Sequence, residues 1–255
     1  MSAPKSHIRS LLAACFLSLG GCRHPVAPYS LPTNINIVAF GDSITRGYGV
    51  PVGNGWVEIL SYRLQARSGV PGFFVFNSGG NGNTSTEGLR RIETDVLPHL
   101  PGLVLVEFGG NDAVEGDRHV SLDEYDRNLR TIHREVTGRG GKMVLVTFPP
   151  IINEWHVAGT KPYFLQRGGL DEEVERYRRR TRQAARELDL PLFDLDRLLR
   201  KLTRDQDAET YILGDGVHLT TEGNLIVARE MEKFLTEQGL IAGNYRSRQP
   251  HPKTP

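Results

Sequence analysis

The chain has 255 residues, enough for one sizeable core and short of what two full domains need. A formal net charge of +1 supplies no field that would draw in nucleic acid, and no nucleic-acid partner is expected. Neither a zinc-type spacing of Cys and His nor a lysine-bearing phosphate loop occurs, so no metal and no organic cofactor is expected.

The N-terminus differs from the rest. Lys5 and Arg9 precede an apolar run from Leu11 to Leu19 that is too short to cross a bilayer and reads as the core of a signal peptide. It ends in Leu19-Gly20-Gly21-Cys22, which resembles the bacterial lipobox, where cleavage precedes a cysteine that is then lipidated. Residues 1–21 are therefore read as a lipoprotein-type signal peptide and Cys22 as the lipidation site. The expected location is exported, in the cell envelope, with a membrane contact through an N-terminal lipid anchor; the alternatives are an ordinary secretory signal or a buried helix, with Cys22 incidental. Both cysteines of the chain, Cys15 and Cys22, lie in this segment, so the remainder must be stable without a disulfide. Residues 22–33 carry three prolines and read as a tether, residues 34–242 as the folded domain, and residues 243–255 as a disordered polar tail.

Within the domain, short apolar runs alternate with longer amphipathic stretches. The runs are Ile35–Phe40, Phe73–Phe76, Leu103–Phe108, Met143–Phe148 and Leu190–Phe193, each nearly continuous, as in strands buried on both faces. Helical spacing links Trp56, Ile59, Leu60 and Leu64, and again Leu122, Tyr125, Leu129, Ile132 and Val136. Ser121 followed by Glu124 predicts a capping box at the start of the second of these helices. Asp171–Leu188 is strongly charged, its arginines expected on a solvated face, and Glu222–Leu235 predicts a last amphipathic helix. The segment Pro149–Gly169 has no clear period and reads as a functional or lid-like loop. Alternating strands and helices imply an α/β fold with a parallel sheet covered on both faces.

In such sheets, functional groups gather beyond the carboxyl ends of the strands. Three polar turns occupy those positions: Gly41-Asp42-Ser43, Gly80-Asn81-Gly82-Asn83, and Gly109-Gly110-Asn111-Asp112. A serine is a weak nucleophile without an adjacent base. The candidate base is His218, with Asp215 three residues before it to orient the imidazole. The Ser43 and Gly82 N–H groups and the Asn111 amide can serve as oxyanion donors. Asp112 is assigned to holding the rim loops, and Asn83 to shaping its own loop by bonding neighbouring backbone. Trp155 either lines a substrate pocket or packs the insertion down. Taken alone, Ser43 is equally an N-cap residue, and His99, His119, His133, His156 and His251 form no cluster.

The ordered set Gly41-Asp42-Ser43, Gly82, Gly109-Gly110-Asn111-Asp112 and Asp215-x-x-His218 resembles the SGNH hydrolases, also called GDSL-type esterases, over roughly residues 35–238. The resemblance implies a flavodoxin-like three-layer α/β/α sandwich with a five-stranded parallel sheet. It also implies that Ser43 is the nucleophile, His218 the base and Asp215 its orienter, with Ser43, Gly82 and Asn111 forming the oxyanion hole. Asn83 stands where many relatives carry aspartate. Ser43 lies outside any Gly-x-Ser-x-Gly elbow, which disfavours a standard α/β-hydrolase.

The expected activity is a serine esterase working through an acyl-enzyme on small-molecule or polymer-linked esters. Short- or medium-chain acyl or aryl esters, including lysophospholipids and thioesters, compete with carbohydrate O-acetyl groups and with a broad esterase activity that has no single target. A non-catalytic, lipid-anchored binding protein on the same fold is the rival from another class. Nucleotide or flavin binding is disfavoured, because Asp42 in the first turn would repel phosphate.

Overall fold

The computed structural model describes residues 35–68 and 72–241. Cys22, the signal peptide, the tether and the polar tail lie outside the described residues. In chain order the elements are β1 Ile35–Gly41, α1 Ser43–Arg46, α2 Trp56–Ser68, β2 Phe73–Gly79, α3 Ser85–Arg90, α4 Ile92–Asp95, β3 Leu103–Glu107, α5 Leu122–Thr137, β4 Lys142–Val146, α6 Pro162–Leu165, α7 Leu170–Glu187, β5 Leu192–Phe193, α8 Leu195–Asp205 and α9 Thr221–Glu237.

The five strands form one sheet in the order β2-β1-β3-β4-β5, with every pair parallel. Helix α2 packs on α9, and α5 packs on α3 and α7, which gives the layers of an α/β/α sandwich. Strands β1 and β3 supply the centre of the core, with Ile37–Phe40 and Val104–Val106 fully enclosed. Each of these side chains larger than Ala39 contributes about 1.5–3 kcal/mol of burial free energy. Strand β2 departs from the expectation of burial on both faces. It is an edge strand, its residues are only partly covered, and Phe74 is exposed. An apolar run tells how hydrophobic a strand is, but not whether it has a neighbour on each side.

Two local expectations are refined. The Ser121 hydroxyl does accept from the Glu124 N–H, but the Glu124 carboxylate accepts from the Thr86 hydroxyl at 2.9 Å, so half of the predicted box forms. A complete capping box occurs instead at Thr84 and Glu87, opening α3.

The charged helix α7 is not a simple solvated face. Arg178 is fully buried and donates to the Phe148 carbonyl at 3.1 Å, the Pro149 carbonyl at 2.7 Å and the Asp171 carboxylate at 2.6 Å. Arg182 bonds both Asp194 and Asp196. These arginines clamp the end of β4 to α7 and α8. The insertion that follows is likewise docked rather than free: Phe164 is fully buried, and the Ile152 N–H bonds the Gly216 carbonyl at 2.8 Å.

Candidate active site

Strands β1, β2 and β3 end together, and the turns that follow are bonded to one another. The Gly80 N–H donates to the Gly41 carbonyl at 2.9 Å. The Asn111 amide donates to the Asp42 carboxyl at 3.0 Å and to the Asn83 carbonyl at 3.2 Å. One side chain from the third turn therefore touches the residue before Ser43 and the residue after Gly82.

Ser43 begins α1, but its side chain is not the cap. The Asp42 carboxyl caps the helix by accepting the Ile44 N–H at 2.9 Å, which frees the Ser43 hydroxyl. That hydroxyl lies 2.9 Å from His218 Nε2, and His218 Nδ1 lies 2.6 Å from Asp215 Oδ2. Partial burial pushes the Asp215 carboxyl up, but the Val217 and His218 N–H groups and the imidazole together hold it below the usual carboxylate range. An ionised Asp215 fixes the proton on Nδ1 and leaves Nε2 to accept from Ser43.

Residues 175 positions apart need a bridge to hold that 2.9 Å contact. Trp56, fully enclosed at the start of α2, donates through Nε1 to the Ile44 carbonyl at 3.0 Å. Its backbone N–H bonds the Asn224 side chain at 2.9 Å, and the Asn224 amide returns to the Leu219 and Thr220 carbonyls beside His218. Tyr48 packs against the His218 ring, with centroids 4.5 Å apart and planes tilted by 46°. Neither Asn224 nor Tyr48 is visible as a site residue in the sequence, where one lies inside an amphipathic helix and the other in a glycine-rich loop.

Among the described residues, neither the Ser43 nor the Gly82 N–H donates to a protein acceptor. Gly82 has φ +68°, and a Cβ there would meet nothing within 4 Å. Its requirement for glycine is thus conformational rather than relief from crowding. Arg118 donates to the Gly82 carbonyl and, at 2.6 Å, to the Glu87 carboxylate. A cavity of about 350 Å³ opens beside Asn111, lined by Val114, Glu115, Gly116, Asp117 and Arg118.

Asp112 ties the rim together, accepting from the Ser85 N–H at 3.0 Å and the Gly109 N–H at 3.2 Å. Asn83 differs from expectation: its side-chain oxygen accepts from Arg91 Nε at 2.8 Å rather than bonding neighbouring backbone. Arg91 also reaches the Ser78 and Gly41 carbonyls at 2.7 and 2.8 Å, so it is the guanidinium that organises the second turn. Trp155 sits in the insertion against Gly216, close to the Asp215 turn, and packs on the core. Among the other histidines, His99 stacks on Phe76, His119 meets the Tyr177 hydroxyl, and His156 accepts from the Ala158 N–H.

Beneath Ser43 lies a group of buried acids. Asp42, Glu107 and Asp112 are all enclosed. Burial raises all three, Glu107 to about 7 and Asp112 to about 6, while Asp42 is held up further by Glu107 beside it. Glu107 was hidden in the sequence by the apolar run of β3. The signal was an acidic residue inside a strand that must be buried.

A parallel α/β/α sandwich with a Ser–His–Asp chain and free N–H donors at its carboxyl rim has the architecture of a serine ester hydrolase. The sequence profile of the GDSL-like Lipase/Acylhydrolase family matches residues 39–226, and the chain belongs to that family. A GDSL esterase/lipase from Arabidopsis thaliana is 33% identical over 224 residues, covering 81% of this chain and 88% of the relative. A lipoprotein from Bacillus subtilis, uncharacterized, is 33% identical over 174 residues, covering 62% of this chain and 70% of the relative. The crystal structure of a lipase/acylhydrolase from Enterococcus faecalis aligns with a TM-score of 0.65 at 25% identity, covering 80% of this chain and 96% of that one. With its family, the chain is a carboxylic ester hydrolase.

Proposed function

We propose that Ser43 attacks the carbonyl of a carboxylic ester and carries the acyl group as a covalent intermediate. The carrying observation is the Ser43–His218–Asp215 chain, closed at 2.9 and 2.6 Å. His218 Nε2 takes the hydroxyl proton as Oγ attacks, and then delivers it to the leaving alkoxide or thiolate. Water repeats the sequence to release the acid. The Ser43 and Gly82 N–H groups, uncommitted within the described chain, bind the developing oxyanion. The Asn111 amide joins them by giving up its bond to the Asn83 carbonyl, because a charged acceptor binds an N–H about twice as strongly as a neutral one.

The test is a fluorophosphonate probe together with p-nitrophenyl ester hydrolysis. Wild-type protein is expected to label at Ser43 and turn over, and Ser43→Ala to lose both, by roughly 10³-fold or more in kcat. A folded wild-type protein that fails to label at Ser43 overturns the reading and favours a binding protein.

Short acyl groups fit this rim best. The cavity beside Asn111 carries Glu115, Asp117 and Arg118, a charged lining that disfavours a long alkyl chain. The same lining supports a second reading, removal of O-acetyl groups from a carbohydrate. An acyl-length series on model esters, run beside acetate release from xylan or pectin, separates the two. Trp155, beside the Asp215 turn, is proposed to bound the leaving-group side. Location is proposed from the lipobox-like Leu19–Cys22 and supported by the lipoprotein relative: an enzyme held in the cell envelope by a lipid on Cys22.

A further inference from the structure

Glu107 closes β3 directly under the first turn. Its Oε2 accepts from the Thr45 hydroxyl at 3.0 Å and faces the Asp42 N–H at 3.5 Å. Its Oε1 is the buried side-chain polar atom that has no partner among the described residues. The Glu107 and Asp42 carboxyls are both fully enclosed, and Glu107 Oε2 faces the Asp42 backbone; burial holds both above the usual carboxylate range and Glu107 pushes Asp42 up further, which favours a proton on the pair. The sequence makes room for this arrangement. A Cβ on Gly41 would stand 2.2 Å from the Thr45 hydroxyl, 2.6 Å from the Glu107 carbonyl and 2.8 Å from Glu107 Oε2, so the glycine of Gly-Asp-Ser leaves the space in which Thr45 and Glu107 meet.

Asp42 is the hub of the turn. One oxygen caps α1 through Ile44, and the other receives the Asn111 amide. The orientation of Asp42 therefore sets both the start of the helix that presents Ser43 and one proposed oxyanion donor.

We propose that Glu107 is a positioning residue for acyl transfer, holding the Asp42–Ser43 turn and the Asn111 amide in register through a proton shared with Asp42. Glu107 acts in this way only if Ser43 is the nucleophile, as proposed above. With the proton in place, one carboxyl donates to the other and the turn is locked. Without it, two adjacent buried charges repel and the turn shifts. The charged and titratable groups around the pair do not relieve that repulsion. Asp112 on the third turn adds negative charge, Tyr125 on α5 stays neutral because burial raises it, and Arg91 is bonded to Ser78, Asn83, Asp95 and Gly41.

Full-length protein carrying Glu107→Gln or Glu107→Leu is compared with wild type for p-nitrophenyl acetate hydrolysis between about pH 5 and about pH 10, with fluorophosphonate labelling in parallel. The Gln amide supplies an N–H in place of the shared proton, so Glu107→Gln is expected to keep kcat within about threefold near neutral pH. It should also lose an alkaline decline that wild type shows once the pair ionises fully. Glu107→Leu should lose about 100-fold in kcat with little change in KM, the cost of a displaced catalytic turn. An identical alkaline limb in wild type and Glu107→Gln overturns the proposal, and this comparison stands even where Glu107→Leu fails to fold. A folded Glu107→Leu protein with wild-type kcat overturns it as well. If wild type labels and turns over while the Glu107 variants behave like it, the positioning role falls alone. If wild type neither labels nor turns over, the esterase mechanism falls and the positioning role with it.

Discussion

Raising the pH should destabilise this protein, against the usual pattern for a chain rich in carboxylates. A carboxyl whose pKa is higher in the folded state than in the unfolded state keeps its proton longer when folded. Its contribution is fully present below the unfolded pKa and is lost as pH rises through the folded one. Asp112 moves from 3.8 to about 6 and Glu107 from 4.5 to about 7, both because burial disfavours the charge. Between pH 5 and pH 8 these shifts remove about 1–2 kcal/mol through Asp112 and about 2–3 kcal/mol through Glu107. Carboxyls with the opposite shift, such as Asp171 and Asp194 beside their arginines, exert their effect below the ordinary carboxylate range and do not enter this window. His156 opposes the trend, since burial lowers it and its neutral form gains as pH rises, but it is only half-buried and its share is small. Urea unfolding at pH 5, 6, 7 and 8 measures the slope, to which Asp42, raised the same way by burial, also contributes, and Glu107→Gln should make the slope shallower. A free energy of unfolding that stays level or rises across this window would refute the assignment of protonated acids beneath the first turn.

Two further perturbations address other parts of the structure. Asn111→Ala should lower kcat by about 10²–10³-fold while leaving KM within a few-fold, the loss of one oxyanion donor; a decline confined to KM would remove Asn111 from that role. Arg178→Met should destabilise the fold by about 3–5 kcal/mol in urea unfolding, because the Phe148 and Pro149 carbonyls lose buried donors and Asp171 loses a cation. A loss below about 1 kcal/mol would show that the clamp on β4 is replaceable.

Much of the layout is legible in the sequence because it depends on local pattern. Continuous apolar runs mark β1, β3 and β4, and the turns that follow must sit at the carboxyl rim of a parallel sheet, so Ser43, Gly82 and Asn111 are placed by topology alone. The pairing of His218 with Ser43 is foreseeable as chemistry, but not the means by which it is held. Trp56 and Asn224 read as ordinary members of amphipathic helices, and only the fold shows one bonding the Ile44 carbonyl and the other the Leu219 carbonyl. Arg178 misleads for the same reason, since helical periodicity cannot tell which arginine of a charged run faces its neighbours.

Glu107 shows most sharply where pattern gives way to tertiary context. A hydropathy window absorbs one acid among Leu103, Val104, Leu105, Val106 and Phe108. Physical chemistry does not, because an ionised carboxylate in a sheet centre is untenable without a cation or a proton. No cation reaches it among the described residues; the Thr45 hydroxyl bonds it, and the ionisable group beside it is another acid, Asp42. The proton is therefore a structural component of the first turn, as necessary to its shape as the missing side chain of Gly41. It follows that Gly-Asp-Ser in this chain is incomplete as a local motif. Its glycine is small to admit the contact between Thr45 and a glutamate 66 residues further along, and its aspartate keeps its orientation by sharing a proton with that glutamate. Gly41→Ala should then behave like Glu107→Leu rather than like a change to a surface turn, with kcat falling as the Thr45–Glu107 contact is forced apart. Normal kcat in a folded Gly41→Ala protein would mean that the glycine serves only the backbone.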